Sequence, residues 1–489
     1  MPALLIACSG GVLPALLAPP AAAQPLPGGA NGPKPAGVSE PGLDLAKPVL
    51  ANGETQTAFL LQLVQDVSRP ELGVPLAVFR ERVSKAVLTH PEALAARATV
   101  QAAGEATREL AAAARPQIDT RIDAAHRQTA ESTVLQVPPR NYETAGIGLN
   151  LRQNIYDFGA IEASVVAGRE REVAVAARAD NRRSDLALRA VQVWLEVYRS
   201  RKQLELNRLN VEARETSVKY LERRYELGAG LASDVWRAQS RLADARASLA
   251  LVQARVRTSD ANFREVFQEA PGDIELPAPP PLDVAALAAN QDSLVRGFPA
   301  VRSAEAARRA ADQDVDVTEL RTRPQLGFEL NALRRDLLGA SAPGNDYSAA
   351  LVLRYNFYTG GADTARVGQA AYRAAEAGEQ ARNISLQVER ALTQALADQQ
   401  SAAALVAARR DEVTLAAASL RALRELFANR RGSLLDLLSA QEVLQSAGLG
   451  LIDAQVEQAL ARWRVLYFSA AFGPTLGLID SAAAARASP

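Results

Sequence analysis

The stretch LNLRQNIYDFG at residues 149–159 returns later in the chain as LVLRYNFYTGG at residues 351–361. At equivalent positions both copies carry two leucines, an arginine, an asparagine, a tyrosine and a glycine, under one offset of 202 residues (351 − 149). The same offset relates Asp234 to Asp436 (436 − 234). Chance similarity between alanine-rich helices would not keep Asn, Gly and Asp in step, so the chain is a duplication.

Two pairs of prolines support the duplication. Pro91 and Pro116 are 25 residues apart (116 − 91), as are Pro299 and Pro324 (324 − 299). We therefore predict six segments: a signal peptide (1–23), a Pro/Gly-rich segment (24–73), the first repeat (74–272), a linker (273–290), the second repeat (291–473) and a tail (474–489).

After the second proline of each pair, apolar and polar residues alternate. This period of two is typical of a strand with one apolar and one polar face, so we expect a strand pair in each repeat. The apolar positions are Ile118, Thr120, Ile122, Ala124, Ile147, Leu149 and Leu151, and then Leu326, Phe328, Leu330, Ala349, Leu351, Leu353, Tyr355 and Phe357.

The length of these strands favours a membrane crossing, with a soluble half-buried sheet as the alternative. Strands of about 10 residues match a tilted bilayer crossing. Aromatic residues gather near the ends of the return strands, as at a membrane–water interface. They are Tyr142, Tyr156, Phe158, Tyr347, Phe357 and Tyr358. The residues that we expect to face lipid are Leu149, Leu151, Leu351 and Leu353.

Four strands are too few to close a barrel. In lipid, an open strand edge leaves backbone groups unpaired at a cost of several kcal/mol each. The pattern therefore predicts oligomerisation, and three chains would supply twelve strands, an even number within the known barrel range.

Each repeat continues into a long helical stretch without proline, at residues 159–228 and 362–429. About 70 residues span roughly 105 Å at a rise of 1.5 Å per residue. Helices of this length extend away from a membrane, although a soluble coiled coil would show the same pattern.

A glycine-containing turn follows each long helix. We expect the glycine to end one helix, a serine to cap the next, and an aspartate to lie in its first turn, where the helix dipole favours negative charge. Two interpretations stay open for the aspartates: helix capping, and a gate in which neighbouring arginines pair with them. The candidate gate residues are Ser233, Asp234, Arg430, Arg431 and Asp436.

Composition argues against several functions. The 55 basic and 55 acidic residues cancel, whereas a nucleic-acid partner calls for a basic excess. Cys8 is the single cysteine and there are two histidines, so we expect no disulfide, metal or other cofactor. The chain has no GxxxxGK[ST] loop, so an export process would draw its energy from a partner. Carboxylates fall at helical surface spacing, and we expect no enzyme.

The N-terminus indicates export. Residues 3–18 are mostly apolar, and Ala21-Ala22-Ala23 before Gln24 fits a signal-peptidase site. Residues 5–8 resemble a lipoprotein box, but too few residues precede Cys8 to form an apolar core, so we favour cleavage after Ala23. Since Pro and Gly are frequent from Gln24 to Gly53, we expect organised structure to begin near Pro75.

The duplicated plan of helix, proline, two strands and two long helices resembles the TolC family of outer-membrane factors. The resemblance covers about residues 74–473. Its motifs are the junction at 153–159, the sequence WLEVY at 194–198 and the tip sequence GSLLDLLSAQ at 432–441. It implies a mainly α protein with a transmembrane β-barrel, assembled as a homotrimer in outer-membrane lipid. The implied partners are a periplasmic adaptor and an inner-membrane ABC or proton-driven transporter.

The resemblance also implies a gate at the periplasmic tip, made of hydrogen bonds, ion pairs and rings of aspartates. By motif matching, Ser233 and Asp234 take gate positions of the first hairpin, and Asp436 takes a ring position. This chain departs from the family pattern at three positions: Phe427 replaces a tyrosine, Gly432 replaces an arginine and Ser439 replaces a second aspartate.

We therefore expect a passive export duct in the outer membrane. The tip sequence RRGSLLDLL at residues 430–438 favours protein export by type I secretion, with multidrug efflux as the alternative. A soluble periplasmic coiled-coil adaptor would also contain helical hairpins, but not four alternating strands with aromatic ends.

Overall fold

The computed structural model describes residues 47–68, 74–129, 140–335, 337, 344–429, 431–469 and 471–478, and these form eleven helices and four strands. The helices are α1 (Lys47–Ser68), α2 (Leu76–Thr89), α3 (Pro91–Ala112), α4 (Ala160–Glu226), α5 (Ala232–Phe267), α6 (Val284–Ala289), α7 (Gln291–Gly297), α8 (Pro299–Leu320), α9 (Ala362–Ala428), α10 (Leu434–Tyr467) and α11 (Phe472–Thr475). The strands are β1 (Gln117–Thr129), β2 (Arg140–Tyr156), β3 (Gln325–Arg334) and β4 (Asn345–Arg354). The predicted signal peptide, Cys8 and residues 479–489 lie outside the described residues.

The four strands form one antiparallel sheet in the order β1-β2-β3-β4. The two strand pairs expected from alternation are confirmed, and β2 joins the two repeats by pairing with β3. Strand β4 ends at Arg354, which pairs with Gln325. The expectation that Tyr355 and Phe357 continue this strand is wrong: the residue that would pair next on β3 is Pro324, which has no N–H to donate.

Helices α4 and α9 have 67 residues each, which corresponds to about 100 Å at 1.5 Å per residue. Helix α4 packs against α3, α5, α8 and α10, and α9 packs against α8 and α10. Both begin and end within two residues of the predicted long stretches. Among the described helices, none is long and apolar enough to cross a membrane.

An aromatic cluster fixes α4 against the elements around it. Trp194 is 1% exposed, and its ring meets Phe79 of α2 edge to face at 5.2 Å. The indole Nε1 donates to the carbonyl oxygen of Glu275 at 2.9 Å, which satisfies its one polar atom. Phe79 also contacts Trp463 of α10, at 5.5 Å between ring centroids. This cluster ties the WLEVY motif to both repeats.

Helix α1 corrects the expectation that structure begins near Pro75. Its Leu60 is fully buried and packs on α10 at Gly448, where an added Cβ would lie 2.6 Å from Leu60 Cδ2. Gln56 Nε2 donates to Gln445 Oε1 at 2.9 Å in the same contact. The Pro and Gly content upstream obscured this helix, which is held by contacts with residues almost 400 positions away.

Two predicted segment boundaries cut through packed structure. The boundary at 473/474 falls within α11, and Leu476, in the predicted tail, is fully buried in the cluster around Trp194. The linker at 273–290 bonds back to the start of the first repeat, because Val74 N donates to Leu276 O and Ala278 N to Val74 O. Burial of both segments was not visible in their composition.

Candidate functional site

The sheet presents one continuous apolar face. In the register, Leu151 lies beside Ile118 of β1 and Leu330 of β3, while Leu353 lies beside Leu326. Leu149, Leu351 and Leu353 are exposed in the protomer, with Leu351 at 69%, whereas Leu151 is half-buried between two neighbouring strands. The four leucines expected to face lipid thus share one face of the sheet.

The opposite face is polar and carries an ion pair. Arg354 forms a salt bridge with Glu329, and Asn331 Nδ2 donates to Ser348 Oγ at 3.5 Å. On β2 this face carries Asn150 and Arg152, and glycines occupy its preceding positions. A sheet with one apolar and one hydrophilic face suits a wall between lipid and water.

Exposed aromatic side chains mark the end of the sheet that joins the long helices. The rings of Tyr156 and Phe158 contact each other in a tilted arrangement with centroids 4.8 Å apart, and those of Tyr355 and Phe357 meet edge to face at 4.6 Å. Phe357 is 90% exposed in the protomer. Tyr347 lies toward the other end of β4, and the side chain of Tyr142 lies outside those described. A bulge between Asn154 and Tyr156 brings Tyr156 into register with Leu326 on the apolar face.

The motif at 153–159 turns a strand into a helix. Phe158 and Gly159 have φ of 57° and 89°, which reverses the chain direction. Asp157 then accepts hydrogen bonds from Gly159 N at 3.1 Å and Ile161 N at 2.8 Å, satisfying the first amides of α4. In the second repeat Gly360 and Gly361 supply the positive φ. This explains why glycine stands in both copies of the motif.

The first tip turn follows α4. Gly228, with φ of 72°, donates to Tyr225 O, and Ala229 N donates to Arg224 O, both at 2.9 Å, which is a Schellman ending. Helix α5 then begins at Ala232 with Leu231 at its N-cap and no side-chain cap. The expectation that Ser233 caps this helix is therefore wrong, since Ser233 lies two positions past the N-cap (233 − 231), within the first turn.

The second tip turn follows α9 and differs from the first. Ser433 is the N-cap of α10, and its Oγ accepts from Leu435 N at 3.2 Å, as expected. Gly432 does not adopt a positive φ, but its amide donates to Leu426 O at 3.0 Å in the last turn of α9. An added Cβ there would lie 2.8 Å from Phe427 N, so glycine is required for close approach to the last helical turn.

The structure brings parts of the candidate gate into one region. Val235 and Leu437, which follow Asp234 and Asp436, are buried in one hydrophobic cluster, and Arg241 of α5 pairs with Glu442 of α10 at 3.0 Å. Both aspartates lie in the first turn of their helices.

Of the two candidate arginines, the structure describes Arg431, and this residue is not joined to Asp234 or Asp436 within the protomer. Arg430 lies outside the described residues. Arg431 is exposed and forms no salt bridge with a described residue of the same protomer. The pairing of Arg431 with Asp234 or Asp436 therefore stays a prediction about contacts between protomers.

A buried polar seam on α4 was missed by the sequence analysis. Gln203 Nε2 donates to Asp453 Oδ1 at 2.8 Å, and Gln445 Nε2 donates to Asn207 Oδ1 at 3.4 Å. Burial lowers the pKa of the Arg214 guanidinium farther along the seam. The sequence signal for this seam was that its polar residues recur alternately four and three positions apart, which is the spacing of a packed helix face. The seam residues are Gln203, Asn207, Asn210, Arg214 and Ser217.

Comparisons with known proteins agree with this architecture. A family model described as outer membrane efflux protein matches residues 83–267. The outer membrane efflux protein BepC from Brucella suis is 26% identical over 344 residues, which cover 68% of this chain and 73% of that relative.

Solved structures share the fold. The CmeC outer membrane channel of Campylobacter jejuni has a TM-score of 0.71 at 12% identity, covering 82% of this chain and 90% of that chain. The outer membrane protein VceC of Vibrio cholerae has a TM-score of 0.68 at 18% identity, covering 82% of this chain and 96% of that chain.

The two-faced sheet and the long helices define a protomer of an outer-membrane channel that extends into the periplasm of a Gram-negative bacterium. Residues 83–267 match the outer membrane efflux protein family, and the duplicated motifs resemble those of the TolC family of outer-membrane factors.

Proposed function

We propose that this protein is the outer-membrane duct of a tripartite export system and works as a homotrimer. The single observation that carries the proposal is a sheet with a continuous apolar face and two unpaired edges, β1 and β4, among the described residues. An unpaired edge in lipid costs several kcal/mol per backbone group. Three copies close twelve strands and remove every edge.

The duct is passive and depends on partners. A periplasmic adaptor docks on the helical tip, and an inner-membrane ABC or proton-driven transporter supplies the energy. The polar face of the sheet, with Glu329 and Arg354, lines a water-filled lumen, while Leu149, Leu151, Leu351 and Leu353 face lipid. The protein itself catalyses no reaction.

Two classes of cargo each have one observation in their favour. The tip sequence at residues 430–438 supports protein export by type I secretion. The name of the relative BepC, an efflux protein, supports multidrug efflux. One duct can serve either class because the transporter, and not the duct, selects the cargo.

The test has two arms. Purified full-length protein in planar bilayers should give discrete conducting steps, and unheated gel samples should run as a trimer that becomes a monomer on boiling. A monomeric, non-conducting protein recovered from the soluble periplasmic fraction would reject the duct and favour a soluble adaptor. Deletion of the gene then assigns the cargo: increased drug susceptibility indicates efflux, and loss of a protein from the culture medium indicates type I secretion.

A further inference from the structure

A cavity of about 470 Å³ lies between the end of α8 and the start of α9, beside the last residues of the sheet. Its lining is unusually basic. The arginines that line it are Arg321, Arg323, Arg354, Arg366 and Arg373. Only one acidic residue, Asp363, is among the lining residues.

Most of this positive charge is not neutralised within the protomer. Arg366 pairs with Asp363, and Arg354 pairs with Glu329 of the sheet. The other three arginines form no salt bridge with a described residue, which leaves a net charge of about +3 around one cavity. Guanidinium groups that converge without carboxylates favour binding of an oxyanion, because each presents a planar fork of donors.

The duplication supplies an internal comparison. Equivalent positions in the first repeat replace Arg321 by Ala113 (offset 324 − 116) and Arg366 by Ser164 (offset 351 − 149). The other three arginines have arginine counterparts in the first repeat, because Arg323, Arg354 and Arg373 correspond to Arg115, Arg152 and Arg171. The cavity at the strand-to-helix junction of the first repeat nevertheless includes none of these arginines and is lined by Asp157 and Glu162. Arg321 and Arg366 are therefore the two charges of the basic cavity that are specific to the second repeat.

The cavity opens on the polar side of the sheet. Gln325 and Arg354, which line it, are register partners on the face that carries Glu329. A second cavity of about 290 Å³ shares Arg321 and Arg373 with it and ends at the pair of Arg171 with Asp314. The basic groove thus continues along α8 and α9 for more than two helical turns.

We propose that this cavity is a binding site for an oxyanion, namely a phosphate or carboxylate group, in the second repeat of each protomer. Its position on the lumen wall rests on the proposed function, whereas anion binding itself does not. In a trimer, the three second-repeat sites alternate with three first-repeat regions that carry Ala113 and Ser164 at two of the five arginine positions.

The test uses inorganic phosphate and the detergent-solubilised full-length protein, with binding followed by broadening of the phosphate ³¹P resonance. Wild type should broaden the line in a saturable way. The Arg321→Ala, Arg366→Ser variant, which installs the first-repeat residues, should bind at least tenfold more weakly. The Arg382→Ala, Arg390→Ala variant removes two charges from the same helix outside the cavity and should bind like wild type.

A second arm identifies the source of the oxyanion. If a lipid headgroup occupies the site, nanodiscs of phosphatidylglycerol should abolish the broadening of the phosphate resonance, whereas nanodiscs of phosphatidylcholine should not. A free anion as occupant would leave broadening equal in both, and either result supports the site.

Equal phosphate binding by wild type and by the Arg321→Ala, Arg366→Ser variant would overturn the proposal. An equal loss of phosphate binding in the Arg382→Ala, Arg390→Ala control would also overturn it. If the double variant does not form a trimer, Arg321→Ala alone gives the same comparison at an exposed position. Conductance of the wild-type protein is measured in parallel. If the wild-type trimer conducts but does not bind phosphate, only this site is rejected. If the wild-type protein does not conduct, the proposed duct is rejected.

Discussion

Tyr220 of α4 and Phe427 of α9 meet edge to face across the two hairpins, with ring centroids 6.0 Å apart. The guanidinium carbon of Arg224 lies 5.9 Å from both rings. Phe427 is 9% exposed, and its position is one where the family resemblance implied a tyrosine. This aromatic contact therefore holds the hairpins together through apolar packing and a cation–π contact instead of a tyrosine hydroxyl.

Phe427→Ala should loosen the tip. Truncation of a buried phenylalanine costs about 3–5 kcal/mol because the lost contacts leave a cavity. We expect a lower thermal midpoint for trimer dissociation and a larger single-channel conductance. Phe427→Leu keeps most of the apolar volume and serves as the control, with a cost below about 1.5 kcal/mol. If both variants conduct like wild type, this contact does not restrict the tip.

The orientation of the sheet predicts different effects for two adjacent arginine substitutions. Leu351→Arg places a charge on the proposed lipid face, at a cost of about 2–4 kcal/mol near the bilayer midplane. Ala350→Arg lies at the same depth on the polar face, opposite Glu329 in the register. The first variant should reduce the amount of trimer in outer-membrane fractions and the second should not. Similar losses in both would mean that the faces are assigned wrongly.

Asp436→Asn should weaken block of the channel by divalent cations, because a trimer brings three copies of this carboxylate together. The substitution keeps the side-chain shape in the first turn of α10. Ser433→Ala is the matched control: it removes the N-cap bond to Leu435, at a cost of about 1 kcal/mol, without changing charge. Divalent block measured in planar bilayers should change only in the first variant. Unchanged block in both would leave helix capping as a sufficient role for Asp436.

The Arg430→Ala, Arg431→Ala variant should conduct more than wild type with its trimer intact. An exposed ion pair contributes about 0–1 kcal/mol, so three symmetric copies can shift a closed–open equilibrium by a few kcal/mol at most. Because Arg431 has no salt-bridge partner among the described residues of its own protomer, its share of the effect requires assembly. Conductance should rise at low salt and converge with wild type at high salt, where the pairs are screened. A salt-independent change would point to a steric cause.

Asp453 predicts a pH dependence of stability. Burial raises the pKa of its carboxyl above the ordinary 3.8, and this outweighs the neighbouring Arg199 and Arg255 and the hydrogen bond from Gln203. A raised pKa means that the folded state holds the proton more tightly, so this group favours folding at low pH. The contribution falls as pH rises from about 3.8 through the raised value.

Asp453→Asn removes this titration and keeps an oxygen to accept the bond from Gln203. We expect the variant to melt above wild type at pH 7, and the difference to shrink as the pH falls toward 4. Melting curves at several pH values provide the measurement. A difference that grows at low pH would show that the carboxylate stabilises the fold.

The sequence alone determined the features that depend on neighbours along the chain. The alternation after Pro116 and Pro324 predicted the strand pairs, and the absence of proline from 159–228 and 362–429 predicted α4 and α9. The turn motif at 153–159 recurs because a strand that turns into a helix needs positive φ at two successive residues. The serine cap was correct at Ser433 and wrong at Ser233, because α5 begins two residues earlier than a cap at Ser233 would require.

Tertiary structure decided the features that depend on residues far apart in the chain. Leu60 is buried because Gly448 leaves room for it, and no local pattern connects the two. Gln203, Asn207 and Arg214 resemble solvated helix residues until α5 and α10 cover them. Arg321 and Arg373 are separated by 52 residues (373 − 321) and a pair of strands, yet they line one cavity. Periodicity reports which face of an element is apolar, but only packing brings one face against another.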